Sequence, residues 1–285
     1  MKDKTERIQF EDLPQDLLKD IDNKIIIYSV GLVGAGRTNL KDEFALIGSG
    51  TLIEIEGRKG ILTAHHVITE LKKYTQLGLS LLPYEHRYAI PTNHLSIIEV
   101  AKPYINSIRP DLSVIILPET SIGRLLAHKS FWNISRWREN VLLKPVDPVE
   151  GVWIVYGFPA ELTTNKIPTK GFEEIKSYHS ICGYAPIEKY YEEEEFDYLD
   201  VSVSYMGRVD LPQSFGGLSG GGLWQAPFFR SEHGELQNRD PILAGMAFYQ
   251  TDIKENKRYI ICHGRNSIYK IVYNKIVESK SWVDN

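Results

Sequence analysis

Gln213-Ser214-Phe215-Gly216-Gly217-Leu218-Ser219-Gly220-Gly221-Gly222-Leu223-Trp224 is the stretch on which the reading of this chain turns. Five glycines surround Ser219 just before an apolar pair. Glycine loses more backbone entropy on folding than any other residue, so this density belongs where a chain turns tightly or admits a close neighbour. A serine nucleophile needs such a place: a sharp turn, an exposed hydroxyl, and main-chain N–H groups aimed at a developing oxyanion. A flexible surface loop has the same composition, so partners elsewhere in the chain must separate the two readings.

Two partners stand upstream. Gly60-Ile61-Leu62-Thr63-Ala64-His65-His66-Val67 reads as a β-branched strand that delivers a histidine pair. Pro110-Asp111-Leu112-Ser113-Val114-Ile115-Ile116-Leu117-Pro118 sets an acid at the mouth of a buried strand, a position that also suits a turn-forming Asp. The order His, Asp, Ser is that of trypsin, not of subtilisin or the α/β-hydrolases. With Gly48-Ser49-Gly50-Thr51 added, these segments resemble the four signature blocks of a trypsin-like (chymotrypsin-fold) serine protease. The resemblance extends over about residues 26–275.

It implies an all-β fold of two six-stranded antiparallel β-barrels packed at right angles, with an active site in the cleft between them. The expected layout is a single peptidase unit over 1–285, with a short N-terminal helix, barrels over 24–125 and 148–265, and a C-terminal helix over 266–281. His66 and Asp111 would come from the first barrel and Ser219 from the second. The residues alone do not choose between His65 and His66, since successive strand residues face opposite sides. The family motif selects His66, the residue immediately before Val67. Gly217 and Ser219 would supply the oxyanion-hole N–H groups, and Gln213, Phe248, Tyr249 and Gln250 would bind substrate. The implied activity is endoproteolysis of a polypeptide substrate through an acyl-enzyme, with no cofactor and no metal.

The chain also departs from the family. His65 replaces a small residue, and Val67 and Phe215 stand where secreted relatives often carry disulfide cysteines. Leu218 occupies the place of the Asp that receives a freshly cut N-terminus, and no Ile-Val-Gly-Gly start occurs. Activation by that ion pair is therefore excluded, which leaves constitutive competence or an activating protein partner. Gln213 offers a neutral pocket floor in place of an acid, which argues against a simple preference for Arg or Lys. Signal-less proteases of this kind resemble those that bacteria use inside the cell for quality control or defence.

Composition agrees with a globular, redox-independent chain. Of 285 residues 42% are hydrophobic and 25% charged, which is globular rather than disordered, and no apolar stretch is long enough to span a bilayer. A net charge of −4 argues against nucleic acid or a membrane surface as partner. There are two cysteines, and Met1-Lys2-Asp3-Lys4-Thr5-Glu6-Arg7 opens no apolar leader, so a cytoplasmic location is expected.

Periodicity predicts an amphipathic helix over Leu13–Asn23, a first strand over Ile25–Val33, and a hairpin of Phe44–Ile55 with Lys59–Ala64. Gly34-Ala35-Gly36 opens a turn and lacks the third glycine of a dinucleotide site. Further strands are expected at Gly151–Pro159, Ser177–Tyr184, Tyr198–Tyr205, Ile242–Tyr249 and Arg258–Cys262, with a helix over Ile268–Ile276. Val67–Leu79 has a helical pattern, Ile122–Trp137 is a mixed connector, and Glu192–Glu195 is a solvated loop. Gly217–Gly221 also satisfies the Gly-x-Ser-x-Gly elbow of α/β-hydrolases, which would need a strand before it, a helix after it, and His233 or His263 paired with Asp240 or Asp252. A second function class, a catalytically idle peptide-binding module on the protease fold, keeps the groove without the chemistry.

Overall fold

An amphipathic helix α1 (Gln15–Ile26) buries Leu18, Ile21 and Ile25 along one face. The computed structural model describes residues 13–36, 44–82, 87–166, 175–206 and 211–280. Pro14 sits at the N-cap, and the helix runs past the expected end because Ile25 continues the Leu18–Ile21 stripe at helical spacing. The first strand therefore begins at Ser29 rather than Ile25.

The first sheet takes β1 (Ser29–Ala35), β2 (Phe44–Ile55), β3 (Arg58–Thr63), β4 (Gln76–Ser80), β5 (Arg87–Pro91), β6 (Ser96–Ala101) and β7 (Leu112–Ile116). Their order is β5-β4-β1-β2-β3-β7-β6, all antiparallel, and a two-residue strand β8 (Trp132–Asn133) runs parallel to β2. Next come β9 (Val152–Gly157), β10 (Thr164–Lys166), β11 (Ile175–Ser177), β12 (Ile181–Tyr184), β13 (Ile187–Glu193), β14 (Phe196–Ser204), β15 (Gly222–Ala226), β16 (Phe228–Arg230), β17 (Leu236–Asn238), β18 (Ile242–Gln250) and β19 (Lys257–His263). The second large sheet is ordered β12-β9-β15-β18-β19-β14-β13, while β10–β11 and β16–β17 are small hairpins. These two curled antiparallel sheets, with short helices around them, make the mostly β fold that the sequence predicts. Each path runs to seven strands where six are expected, and it ends on short edges such as the four-residue β12.

Three local expectations are corrected. The histidine pair does not end a strand: His65 and His66 open a helix α2 (His65–Leu71). The connector holds two helices, α3 (Glu119–Leu126) and α4 (Ile134–Leu142), the second capped by the Asn133 side chain on the Arg136 N–H. The acidic run is mostly hairpin, since Glu192 and Glu193 belong to β13 and the chain reverses at Glu194 with φ 56°. All four glutamates are exposed on an edge strand and its turn, where water screens them, so repulsion does not prevent pairing. The closing helix α5 (Tyr273–Lys280) follows a π-helical turn over Ser267–Val272.

An aromatic cluster joins the sheets. Trp224 of β15 stacks on Tyr28 with centroids 5.4 Å apart and meets Trp132 edge-on, and Trp132 Nε1 donates to Tyr269 Oη at 2.8 Å. One apolar core thus runs from α1 through the first sheet to the inner face of the second. A separate cluster, with Val155, Leu199, Val201, Leu223 and Ile260, fills the second barrel. Beside the first core, the buried Lys129 ammonium donates to the carbonyls of Ile26, Ser29 and Leu82 at 2.8, 2.7 and 2.5 Å. A buried cation needs such partners to offset its desolvation. Among the described residues no helix is long and apolar enough to cross a membrane.

Candidate active site

The glycine-rich segment folds as two consecutive tight turns with Ser219 in the second. Leu218 N–H returns to the Phe215 carbonyl at 2.9 Å around Gly216-Gly217, and Gly221 N–H to the Leu218 carbonyl at 2.8 Å around Ser219-Gly220. Gly217 and Gly220 have φ of +92° and +93°, and each stands third in its turn, the position where a type II turn demands glycine. A Cβ on Gly217 would press on the Phe158 carbonyl, and one on Gly220 would sit on the Ser49 carbonyl and the Thr63 hydroxyl. Among the described residues neither the Gly217 N–H nor the Ser219 N–H has a hydrogen-bond acceptor.

The first barrel braces this loop through the Gly48–Thr51 block. Ser49 N–H donates to the Ser219 carbonyl at 2.8 Å, and Ser49 Oγ donates to the Gly217 carbonyl at 2.7 Å. The same hydroxyl accepts the Phe158 N–H at 2.9 Å, while Thr51 Oγ1 donates to the Gly220 carbonyl at 3.1 Å. Sequence reading marks that block by resemblance only; its physical task is to hold the serine loop from the opposite barrel.

His66 and Asp111 meet across the same cleft. His66 Nδ1–H donates to Asp111 Oδ2 at 2.5 Å, and its main-chain N–H donates to Oδ1 at 3.0 Å. Asp111 is 6% exposed on its side chain against 49% for His66, so the carboxylate is buried behind a solvent-facing ring. This arrangement places the ring proton on Nδ1 and leaves the Nε2 lone pair available. His65 points the other way: buried at 9% exposure, its Nδ1 lies 3.2 Å from Ser113 Oγ, and burial lowers its pKa. Ser219 Oγ donates to the Phe248 carbonyl at 3.2 Å.

A cavity of about 520 Å³ brings these groups together, lined by His66, Asp111, Ser219, Phe248, Tyr249 and Gln250 among others. Gln213 is the expected binding residue that it does not include: it is exposed, and its N–H donates to Glu161 Oε1 at 3.0 Å. The loop turns before reaching the pocket floor, and Gln250 from β18 is the glutamine at the wall. The elbow alternative is overturned, because a strand, β15, follows Ser219 and no helix does. His233 is exposed, and His263, fully buried, accepts a hydrogen bond from the Asp111 N–H. Sequence reading places His263-Gly264 close to the substrate pocket, with tuning and structural roles both open, but gives it no link to Asp111; it misses Arg258, whose NH1 donates to Gln250 Oε1 from an ordinary strand position with no local signal.

The chain matches no family model, and no curated protein matches it. Among solved structures it is similar to one from a study headed by aromatic interactions in the coupled folding and binding of the Sesbania mosaic virus VPg protein, at 14% identity and TM-score 0.42 over 85% of this chain and 89% of that one. It is similar to the active form of the Rv3671c protease from M. tuberculosis at 13% identity and TM-score 0.43, covering 88% and 82% of the two chains. It is also similar to a serine endoprotease from Yersinia pestis at 14% identity and TM-score 0.48, covering 94% of this chain and 69% of that one.

Proposed function

We propose that the chain is a serine endopeptidase that cleaves peptide bonds through Ser219, His66 and Asp111. One observation carries the reading: a buried carboxylate holds a solvent-facing imidazole at 2.5 Å in the cavity where a serine sits beside two uncommitted N–H groups. In the proposed mechanism Ser219 Oγ leaves the Phe248 carbonyl by rotation about Cα–Cβ and engages Nε2 of His66, which lines the same cavity. The Oγ–H bond then breaks, the proton passes to Nε2, and Oγ bonds to the substrate carbonyl carbon. The carbonyl oxygen takes the negative charge and accepts from Gly217 N–H and Ser219 N–H, each such donor contributing about 3 kcal/mol to the transition state. Collapse expels the amine, which takes the proton from Nε2, and water repeats the sequence to free the acid. Asp111 keeps the proton on Nδ1 and stabilises the imidazolium without being protonated itself.

The open cleft fits an extended polypeptide substrate lying along β18. Turnover without a partner and turnover only with an activating protein are both compatible with this chemistry, and a cytoplasmic, defence or quality-control setting is the compartment and role we propose. An alkyl fluorophosphonate tests the chemistry, since it labels an activated serine. Labelling and peptide cleavage are expected in the native chain and absent in Ser219→Ala, with the thermal melt unchanged. Cleavage retained in Ser219→Ala would overturn the assignment. A folded native chain that neither labels nor cleaves would favour the idle binding module.

A further inference from the structure

Gln250 is the polar side chain at the wall of the cavity next to Phe215, Ala247 and Ile260. Its amide orientation is forced. Phe215 N–H and Arg258 NH1 both donate to one terminal atom of Gln250, at 2.8 and 2.5 Å, so that atom is the oxygen. The remaining terminal group is the NH2, which donates to Ser214 Oγ at 3.2 Å on the exposed side. The wall therefore offers an N–H donor and no acceptor.

Arg258 lies behind it and is itself 7% exposed. Its guanidinium rests between the rings of Tyr205 and Phe215, each centroid 5.9 Å away. Among the described residues it has no carboxylate within ion-pair distance, and its buried Nε has no hydrogen-bond partner. A buried cation without an anion is costly, and its field reaches the cavity through the amide that it polarises. Glu161 is exposed, and its two oxygens already accept the N–H groups of Gln213 and Ser214 at 3.0 and 2.7 Å. The other walls at this end, Phe215, Ala247 and Ile260, are apolar. A lysine or arginine entering here would lose hydration and meet only donors; a carboxylate or carboxamide would meet the amide N–H and the arginine field.

We propose that this end of the cavity selects substrates whose residue on the acyl side of the scissile bond carries an acceptor side chain, glutamate above all, and that Gln250, oriented by Arg258, reads it. The proposal rests on the proteolytic reading above and adds the substrate class to it. Gln250 touches the substrate; Arg258 is a positioning residue.

The test uses peptidyl diphenyl phosphonates that differ only in the acyl-side side chain: Glu, Gln, Leu or Lys. The rate at which each labels Ser219 is measured in the full chain, beside an alkyl fluorophosphonate that has no such side chain. The Glu reagent should label at least about tenfold faster than the Leu reagent and faster still than the Lys reagent, because a site built to pair a polar group rejects partners that cannot pair. Arg258→Met should reduce the Glu-to-Leu ratio by about tenfold, and Arg258→Lys should restore part of it, as a surviving positive charge requires. A ratio cancels any general loss of reactivity. Should the Arg258 variants not fold, Gln250→Leu at the more exposed wall carries the same comparison. Fastest labelling by the Leu or Lys reagent, or an unchanged ratio in a folded Arg258→Met or Gln250→Leu chain, overturns the specificity proposal while leaving the nucleophile standing. No labelling by any reagent, the alkyl fluorophosphonate included, overturns the proteolytic reading and this inference with it.

Discussion

The main-chain N–H of Asp111 donates to Nε2 of His263 at 3.2 Å, joining the last strand of the second barrel to the acid at the edge of the first. Because Nε2 accepts, the ring proton lies on Nδ1, which donates to Ser267 Oγ at 3.4 Å. That hydroxyl donates to Asp197 Oδ1 at 2.8 Å, and Asp197 also takes the Asn266 and Ser267 N–H groups at 3.0 and 2.7 Å. The His263 ring packs on Phe248, with centroids 4.6 Å apart, and Phe248 supplies the carbonyl beside Ser219. One buried imidazole thus touches residues on both sides of the candidate site.

His263→Leu should leave the Asp111 N–H without an acceptor and loosen the carboxylate that holds His66. We expect kcat to fall about tenfold or more while KM stays nearly constant, because the loss concerns orientation in the transition state and not substrate binding. His263→Gln, whose Oε1 can accept the same N–H, should recover part of the rate. Steady-state kinetics on one peptide substrate decide the matter; a change confined to KM would contradict it.

The same residue predicts an acid sensitivity. Burial lowers His263 to about 3, although the Asp111 carboxylate favours charging it, and nearby Arg109 works with burial against charge. In the unfolded chain the ring titrates near its ordinary value of roughly 6.5, so unfolding takes up a proton between that pH and about 3. Stability present at neutral pH is lost as pH falls through this window, by up to roughly 5 kcal/mol at its lower end. Urea melts of native and His263→Gln chains should diverge above pH 6.5 only by a constant, and converge as acid removes the contribution from the native chain alone.

Two left-handed glycines should behave oppositely. Gly220→Ala places a Cβ on the Ser49 carbonyl, so the serine loop must move; we expect severe destabilisation and loss of fluorophosphonate labelling. Gly234 has φ +79° with nothing within 4 Å of its added Cβ. Gly234→Ala should cost only about 1–2 kcal/mol, the expense of the left-handed backbone for a residue with a Cβ. Thermal melts of the two variants provide the comparison, and equal losses would mean that loop packing contributes nothing.

The two adjacent histidines should separate cleanly. His66→Ala removes the imidazole held by Asp111 and should lower turnover by at least roughly a thousandfold with little change in the melt. His65→Ala removes a buried ring beside Ser113 and should instead lower stability by about 1–3 kcal/mol while a folded chain keeps its turnover. Loss of activity in folded His65→Ala with full stability would reverse the roles.

Local pattern determined much of this molecule. Two strand-like runs, Phe44–Ile55 and Lys59–Ala64, separated by Glu56-Gly57-Arg58, specified a hairpin, because turn chemistry is a property of neighbouring residues. The glycines around Ser219 likewise marked a tightly turning segment, which the structure resolves into two turns, since left-handed backbone disfavours residues with a Cβ. Where neighbours gave conflicting signals, tertiary packing decided. Ile25 was free to join a strand by β-branching but completes the buried face of α1, and His65-His66 open a helix because Asp111 accepts the His66 N–H at its first turn. His263 carried only its nearness to the pocket, and Arg258 no mark in the chain, since nothing in neighbouring residues names a partner across the fold. Their partners lie 152 and 8 residues away, on Asp111 and Gln250, and only the pairing of β18 with β19 and the docking of one barrel on the other bring those groups within hydrogen-bond reach.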